Sequence, residues 1–596
     1  MTLQRPFMGP FAHWVVAAGI AAACAATLAP TTARACGGLF CDASQPVNQA
    51  AERILFAENG DGSITAVIEI KYQGPSDRFS WILPVPGVPD VGVSSVTAFD
   101  RLQQATNPQY QLNRTFEQCG DEFGGAGGTG GAGGTSATGG FADAGVAEDP
   151  GVIVLASGSV GPYDYKVISL DPKLSDPAQV ALDWLMDNGY DVTDLGPDVL
   201  RPYLEDHLNL LAFRLTKTAD SGSIRPVVIT YESETPFIPI RPTAVAANED
   251  MGILVWVVSR ARAIPINYKA LELNEARIDW FNPMNTYNDV VSEAADDASG
   301  QGFVTELAAQ TDTLDGVIVA DYERSEWMRI QSQSYMDPLD LLQDVSNTFN
   351  GWDGIEDALR AAVMLPMGLD LDTFLGCPSC YVDDPGVVID DNMLLKKLYE
   401  RVVKPMFDTD DLLLSRPYVT RLYTTMSADE MTVDPAFDTN QDLADVSNVH
   451  TAEQYIRCDG SWTITLPQGG LVHGTQQGTW PDLGDQPANF KILQLSTQGQ
   501  GKTLENNSEK IQELLAAMAP PDAGVPPGGS GGSGAGTGTG GPDAGGVTVT
   551  EGTPGVATGA DYCGCHVPGS SRGHSTGGVA WLTLAAVLVA RRHRRA

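Results

Sequence analysis

Arg53-Ile54-Leu55-Phe56-Ala57-Glu58-Asn59-Gly60-Asp61-Gly62-Ser63-Ile64-Thr65-Ala66-Val67-Ile68-Glu69-Ile70-Lys71-Tyr72 is the stretch whose reading decides the fold class. Two extended runs, Arg53 to Ala57 and Ser63 to Tyr72, flank a Glu-Asn-Gly-Asp-Gly cluster, and that arrangement predicts a hairpin. In the second run Ile64, Ala66, Ile68 and Ile70 alternate with Thr65, Val67, Glu69 and Lys71. Side chains alternate across a strand, so one face is buried and the other is mixed.

Working outward, Trp81 to Pro89 reads Trp-Ile-Leu-Pro-Val-Pro-Gly-Val-Pro. Proline cannot donate to a ladder, so this is an edge strand or a rigid extended strip. Further strands are expected at 152–156, 163–170, 208–216, 224–231 and 253–259. One helix interrupts them, opened by Asp176-Pro177 and closed by Asn188-Gly189. Beyond Pro265 the apolar spacing becomes three and four residues, predicting helices at 288–299, 352–364, 392–407 and 508–518. Ser427-Ala428-Asp429-Glu430 has capping-box spacing. A last β pair is expected at Trp462 to Leu466 and Gly470 to Gly474. The fold class is therefore α+β: a β-rich, sandwich-like N-terminal half, then a mainly helical half with a short terminal β pair.

The chain has 596 residues, with 36 Lys+Arg against 75 Asp+Glu, a formal charge of −39. Phosphate binding needs a basic face, so nucleic acid is excluded as a partner, and docking on anionic lipid through a basic surface is disfavoured. At 43% hydrophobic residues the chain can build real cores.

The two ends read as addresses. Arg5, an apolar run from Phe11 to Leu28 and Ala33-Arg34-Ala35 form the pattern of a secretory signal peptide over 1–35, cleaved before Cys36. Lipidation of Cys36 is the weaker alternative, because Arg34 does not fit a lipobox. At the other end Cys563-Gly564-Cys565-His566 precedes a spacer, an apolar run from Val579 to Ala590 and Arg591-Arg592-His593-Arg594-Arg595. As a helix that run is only about 18 Å long, short of a hydrocarbon core of about 30 Å. The Arg cluster holds this end on the cytoplasmic side.

An early Cys, a short Gly-containing hydrophobic helix and a terminal Arg cluster together resemble the myxobacterial-type sorting signal called MYXO-CTERM. The resemblance implies processing near Cys563 or Cys565. It also implies membrane attachment through residues 563–596, sorting and processing machinery as a partner, and a place at the cell surface or outer membrane of a Gram-negative bacterium.

Between the ends, 122–149 is a Gly-rich insertion loop and 519–562 a Gly/Pro-rich stalk, both short of side chains that could be buried. The body divides into a β-rich domain, 36–121 with 150–265, and a helical or mixed domain, 266–518. Several of its stretches resemble an uncharacterised bacterial family, domain of unknown function 2330. They are Cys36–Cys41, Trp81–Pro86, Val160–Tyr163, Leu182–Leu185 with Asn188–Tyr190, Leu273–Trp280, Tyr287–Val291 and Leu422–Ser427. The resemblance carries no activity, substrate or catalytic residue.

Six cysteines remain in the body: Cys36, Cys41, Cys119, Cys377, Cys380 and Cys458. An even number in an exported chain points to disulfides. Cys36 with Cys41 and Cys377 with Cys380 are close enough to pair locally, leaving Cys119 with Cys458. Cys377-Pro378-Ser379-Cys380 also has thioredoxin-motif spacing, but Asp383 and Asp384 beside it would raise a thiol's pKa, which disfavours a redox site. A zinc site is weaker still, since no second Cys-x-x-Cys is present.

The sequence contains no His-Glu-x-x-His. Gly501-Lys502-Thr503 lacks the opening glycine of a P-loop, since position 496 is Ser. Ser447, Asn448 and His450 read as turn and capping groups before they read as nucleophile and base. The best ligand candidate lies in Asp434 to Asp445. There Asp438, Asn440 and Asp442 set three oxygen side chains at alternate positions, as at the start of a calcium loop. Leu443 and Val449 stand where an EF-hand needs Gly and Glu. No cofactor other than calcium is suggested, and no protein or ligand partner is identified. The chain reads as an exported, surface-anchored envelope protein, structural or binding rather than enzymatic. The alternatives are an exported metal-dependent hydrolase and an extracytoplasmic thiol oxidoreductase.

Overall fold

The hairpin forms as its alternation requires. Strands β1 (Asn48–Glu58) and β2 (Ser63–Gln73) pair antiparallel, with Ile54 opposite Ile68 and Phe56 opposite Ala66. Gly60 and Gly62 both take positive φ in the turn, where a side chain would be strained. The computed structural model describes residues 48–73, 80–117, 151–190, 196–215 and 222–520. The expected signal peptide, insertion loop, sorting tail and almost all of the stalk lie outside the described residues, as do Cys36, Cys41, Cys119, Cys563 and Cys565.

Among the described residues β1 and β2 belong to an eleven-stranded sheet. On the far side of β1 lies Ala247–Ser259, paired parallel to it, and beyond that Tyr418–Met426, Gly302–Gln310, Lys269–Leu273, Asn489–Gln494 and Lys502–Asn506. Beyond β2 lie Val227–Glu232 and Asp90–Val93, with Gly222–Ser223 paired to its end. Tyr418–Met426 is buried along its whole length and Ala247–Ser259 from Met251 on, as expected of strands covered on both faces. Strands from both sides of residue 265 thus share one sheet, because Ala247–Ser259 takes β1 on one edge and Tyr418–Met426 on the other.

Each face of this sheet has its own core. Ile54, Phe56, Ile64, Ala66 and Ile68 pack against a four-stranded sheet that begins with β3 (Ser80–Val85). In that sheet β3 is the edge strand, followed by Asn209–Leu215, Tyr163–Leu170 and Val152–Val160, so the prolines of the Trp81–Pro86 strip lie at an edge. This is the sandwich-like half. Leu55, Ala57, Val67, Leu254 and Trp256 face the other way, onto helices that include Val96–Thr106, Tyr287–Asp297 and Ile355–Ala362.

The helix Pro177–Asp187 is capped by Asp176, whose carboxylate accepts the Gln179 N–H. The apolar periodicity at 392–407 is realised as three consecutive pieces: an α-helix Asp391–Leu398, a π turn Tyr399–Val403 and an α-helix Lys404–Leu413. Pro405 has no N–H to continue the α ladder, which accounts for the local widening. A third sheet joins Leu471–Gly474, Trp462–Thr465, Val449–Ile456 and Gln109–Phe116, the first two being the expected terminal pair. No helix among the described residues is long and apolar enough to cross a membrane.

Candidate functional site: a cleft with a lone carboxyl

The alternation of β1 sends Arg53 and Leu55 to the helical face and Glu52, Ile54 and Phe56 to the face covered by β3. The two charged neighbours meet different surroundings. Arg53 is paired with Glu69 and reaches Asp100 and Gln103, both at 2.8 Å. Glu52 lies between Ile70 of β2 and Ile253 in the register of the sheet. It is 5% exposed, and its Oε2 has no hydrogen-bond partner. Desolvation alone, with no neighbouring charge, pushes its carboxyl up to about 7.

Glu52 lines a cleft between the two sheets with Ile54, Phe56, Ile68, Trp81, Phe237 and Pro239. Its walls are nearly closed, with Ile54 and Phe56 1% and Trp81 4% exposed, so the space beside Glu52 is about the size of one water molecule. A second hollow, equally small, shares Phe56, Ile68, Phe237 and Pro239 and continues along Pro84–Pro86 to Tyr231. The wall at Phe237 is held from the other half of the chain. Ile238 N–H donates to the Pro435 carbonyl at 2.9 Å, and Phe437 N–H donates to the Pro236 carbonyl at 2.9 Å. Asp434 fixes the end of this wall by accepting the Ile240 N–H and the Tyr203 hydroxyl, each at 2.9 Å.

The three candidate calcium ligands, Asp438, Asn440 and Asp442, also make hydrogen bonds within the protein. Asn440 is fully buried, and its amide donates to the Ser496 and Gly499 carbonyls at 2.7 and 2.8 Å. Its Oδ1 accepts the Asp442 N–H, the Asp442 carboxylate accepts the Gly499 N–H, and Asp438 accepts the N–H of Thr439. The Asn440 and Asp442 contacts tie this turn to the 496–499 loop, while Asp438 lies on the short strand Phe437–Thr439. No group of three or more His, Cys, Asp or Glu side chains among the described residues is placed to hold a metal ion.

Ser447, Asn448 and His450 do not form one constellation. Ser447 closes a local turn on Val449, and the Asn448 amide donates to the carbonyls of Ala105 and Asn107. His450 instead meets Glu275, Nδ1 to Oε1 2.7 Å, and stacks on Tyr110 at 4.7 Å between ring centres. This carboxylate–imidazole pair joins residues far apart in the chain, and the sequence offered no signal for it. Glu52 did carry a signal, since it shares strand parity with Ile54 and Phe56. Cys377 and Cys380 form a disulfide at the start of the short helix Pro378–Tyr381. Cys458 is also disulfide-bonded. Lys502 and Thr503, the P-loop-like residues, sit exposed on the outermost strand of the large sheet.

Comparison with curated proteins and comparison with solved structures both gave no match. The likeness to a protein family stops short of His450, the Cys377–Cys380 pair, the 438–442 loop and the Leu422–Ser427 stretch. Over residues 30–323, which hold Glu52 and every residue lining the cleft, the chain matches the family model described as an uncharacterized protein conserved in bacteria (DUF2330).

Proposed function

We propose that this chain is an exported protein anchored at the cell surface by its C-terminal tail, with the body serving a binding or structural role in the envelope. The observation that supports the reading is the disulfide chemistry of the body. Cys377–Cys380 and the disulfide at Cys458 suit an oxidising compartment, and such bonds are rare where thiols are kept reduced. They agree with the export pattern at residues 1–35 and with the sorting pattern at 563–596. The test is protease treatment of intact cells followed by detection of the body. Removal of the body is expected, and full protection would refute surface exposure.

A second reading, an exported hydrolase, is favoured by one observation. Glu275 is placed to orient the His450 ring, as the carboxylate does in a base–orienter pair. In this reading the other imidazole nitrogen serves as general base, and a metal, if one is used, is held by the Asp434–Asp445 loop. A hydrolase screen with and without added divalent metal decides it. Activity lost in His450→Ala and retained in His473→Ala would support it, and no activity in any ester, amide or phosphoester class would remove it.

A further inference from the structure

We propose that the segment 236–243 is a pH-operated wall: it seals Glu52 under apolar side chains while the carboxyl is protonated, and it opens to water more readily once the carboxyl ionises. The assignment concerns the body itself and stands apart from where the chain is anchored.

Three features build the device. First, Oε2 of Glu52 is buried and has no hydrogen-bond partner. A neutral carboxyl is tolerated in such a place, whereas a carboxylate with neither donor nor counter-charge is costly. Second, the space beside it is about the size of one water molecule. A carboxylate accepts up to about four hydrogen bonds, so water cannot solvate it with the wall in place. Third, the wall is the part of the enclosure with the fewest main-chain bonds. β1 is paired along both edges, and β3 is paired with Asn209–Leu215 along its whole length. Pro236, Pro239 and Pro242 have no N–H to donate. The wall is held instead by the Ile238 N–H on the Pro435 carbonyl, the Phe437 N–H on the Pro236 carbonyl, and the Asp434 carboxylate on the Ile240 N–H.

Among the described residues no other side chain lining the space ionises: β1 presents Ile54 and Phe56, β2 Ile68, β3 Trp81, and the wall Phe237 and Thr243. Ile70 and Ile253, beside Glu52 in the sheet, carry no charge. Arg53, Glu69 and Lys71 belong to the opposite face of the hairpin by strand parity. Arg241 of the wall does not line the space and donates to the Thr432 carbonyl. Tyr231 in the adjoining hollow is kept neutral by burial.

The direction follows from linkage. Closed, the Glu52 carboxyl stands at about 7 through burial; open to water, it returns to its ordinary value of 4.5. The closed state therefore binds more protons, and opening is promoted as pH rises above about 4.5, levelling off above about 7. Between about pH 5 and about pH 8 the opening constant rises roughly seventyfold. The apolar lining of Phe56, Trp81 and Phe237 is thus sealed in acid and reached by water more often toward alkaline pH. Burial raises Asp434 as well, which acts in the same sense. That contribution is common to wild type and Glu52→Gln, so the difference between the two chains belongs to Glu52.

The experiment is amide hydrogen exchange of the full exported chain at about pH 5 and about pH 8, read at Ile238 and Phe437 and corrected for the intrinsic pH dependence of exchange. Both amides should be less protected than those of the buried strand Tyr418–Met426, and both should exchange roughly seventyfold faster at the higher pH after that correction. Glu52→Gln should lose most of that increase. Protection equal to that of Tyr418–Met426 at both pH values overturns the proposal, since the wall would then open only with the whole fold. An unchanged corrected rate in the wild type overturns it too, and neither comparison needs a variant. A folded Glu52→Gln chain that keeps the full increase overturns it as well.

Discussion

Replacing Glu52 by Gln tests the cleft without any ligand. The group has an ordinary value of 4.5 and stands at about 7 in the folded chain, through burial alone. Its folded value is raised, so between these limits the folded state binds more protons than the unfolded one. Stability is therefore full below about pH 4.5 and falls as pH rises toward and through about 7. The whole window amounts to about 3 kcal/mol, and the part between about pH 5 and about pH 8 to about 2.5 kcal/mol. Glutamine does not titrate. It leaves a constant cost for its unpaired amide, so the informative quantity is how the gap between variant and wild type changes with pH. For a body of roughly 400 residues about 1 kcal/mol corresponds to about 1 °C in melting temperature. Glu52→Gln should thus gain about 2 to 3 °C on the wild type in going from about pH 5 to about pH 8. The assay is differential scanning calorimetry of both chains across that range at constant ionic strength. Parallel curves, with a gap that does not change with pH, would refute the reasoning, because the carboxyl would then be solvated or paired.

Arg421→Met should destabilise the body by about 3–5 kcal/mol in urea unfolding. It removes the guanidinium that the fully buried Glu306 carboxylate meets at 2.5 Å and leaves that charge without its cation. Adding Glu306→Leu should recover part of that loss and not all, since Thr106 and Asn107 also lose the guanidinium that they accept from. Asn440→Ala should cost about 1–3 kcal/mol, as it leaves the Ser496 and Gly499 carbonyls without their donor. Calcium should raise the melting temperature of wild type and of Asp438→Asn/Asp442→Asn equally, through charge screening; a larger shift in the wild type would mark the loop as a calcium site. Gly474→Ala should cost about 1–3 kcal/mol, measured by the same unfolding, because a Cβ there would overlap the buried Trp462 ring that Gly474 faces across the sheet.

How much of this was legible in the chain depends on the range of the interaction. The hairpin β1–β2, the helix behind Asp176-Pro177, the proline-bearing edge strand β3 and the Trp462 to Gly474 pair were readable. Each is decided by strand alternation, capping or turn chemistry within about a dozen residues. The inward parity of Glu52 was also in the sequence, two and four residues before Ile54 and Phe56. Its consequence was not, because a glutamate on a strand is solvated unless another layer covers it.

The sequence by itself determined an acidic chain, a β-rich first half and local cysteine pairing of the kind seen at Cys377–Cys380. The tertiary structure alone decided what covers what. It drew strands from beyond residue 265 into the sheet of β1, turned the Asp-Asn-Asp loop into a tie between two loops, and brought Glu275 to His450. It also laid β3 and the Phe237 wall over Glu52. Sequence pattern fixes which side of a strand faces inward. The solvation of a charge, and hence its chemistry, depends on the distant residues that come to lie against that side.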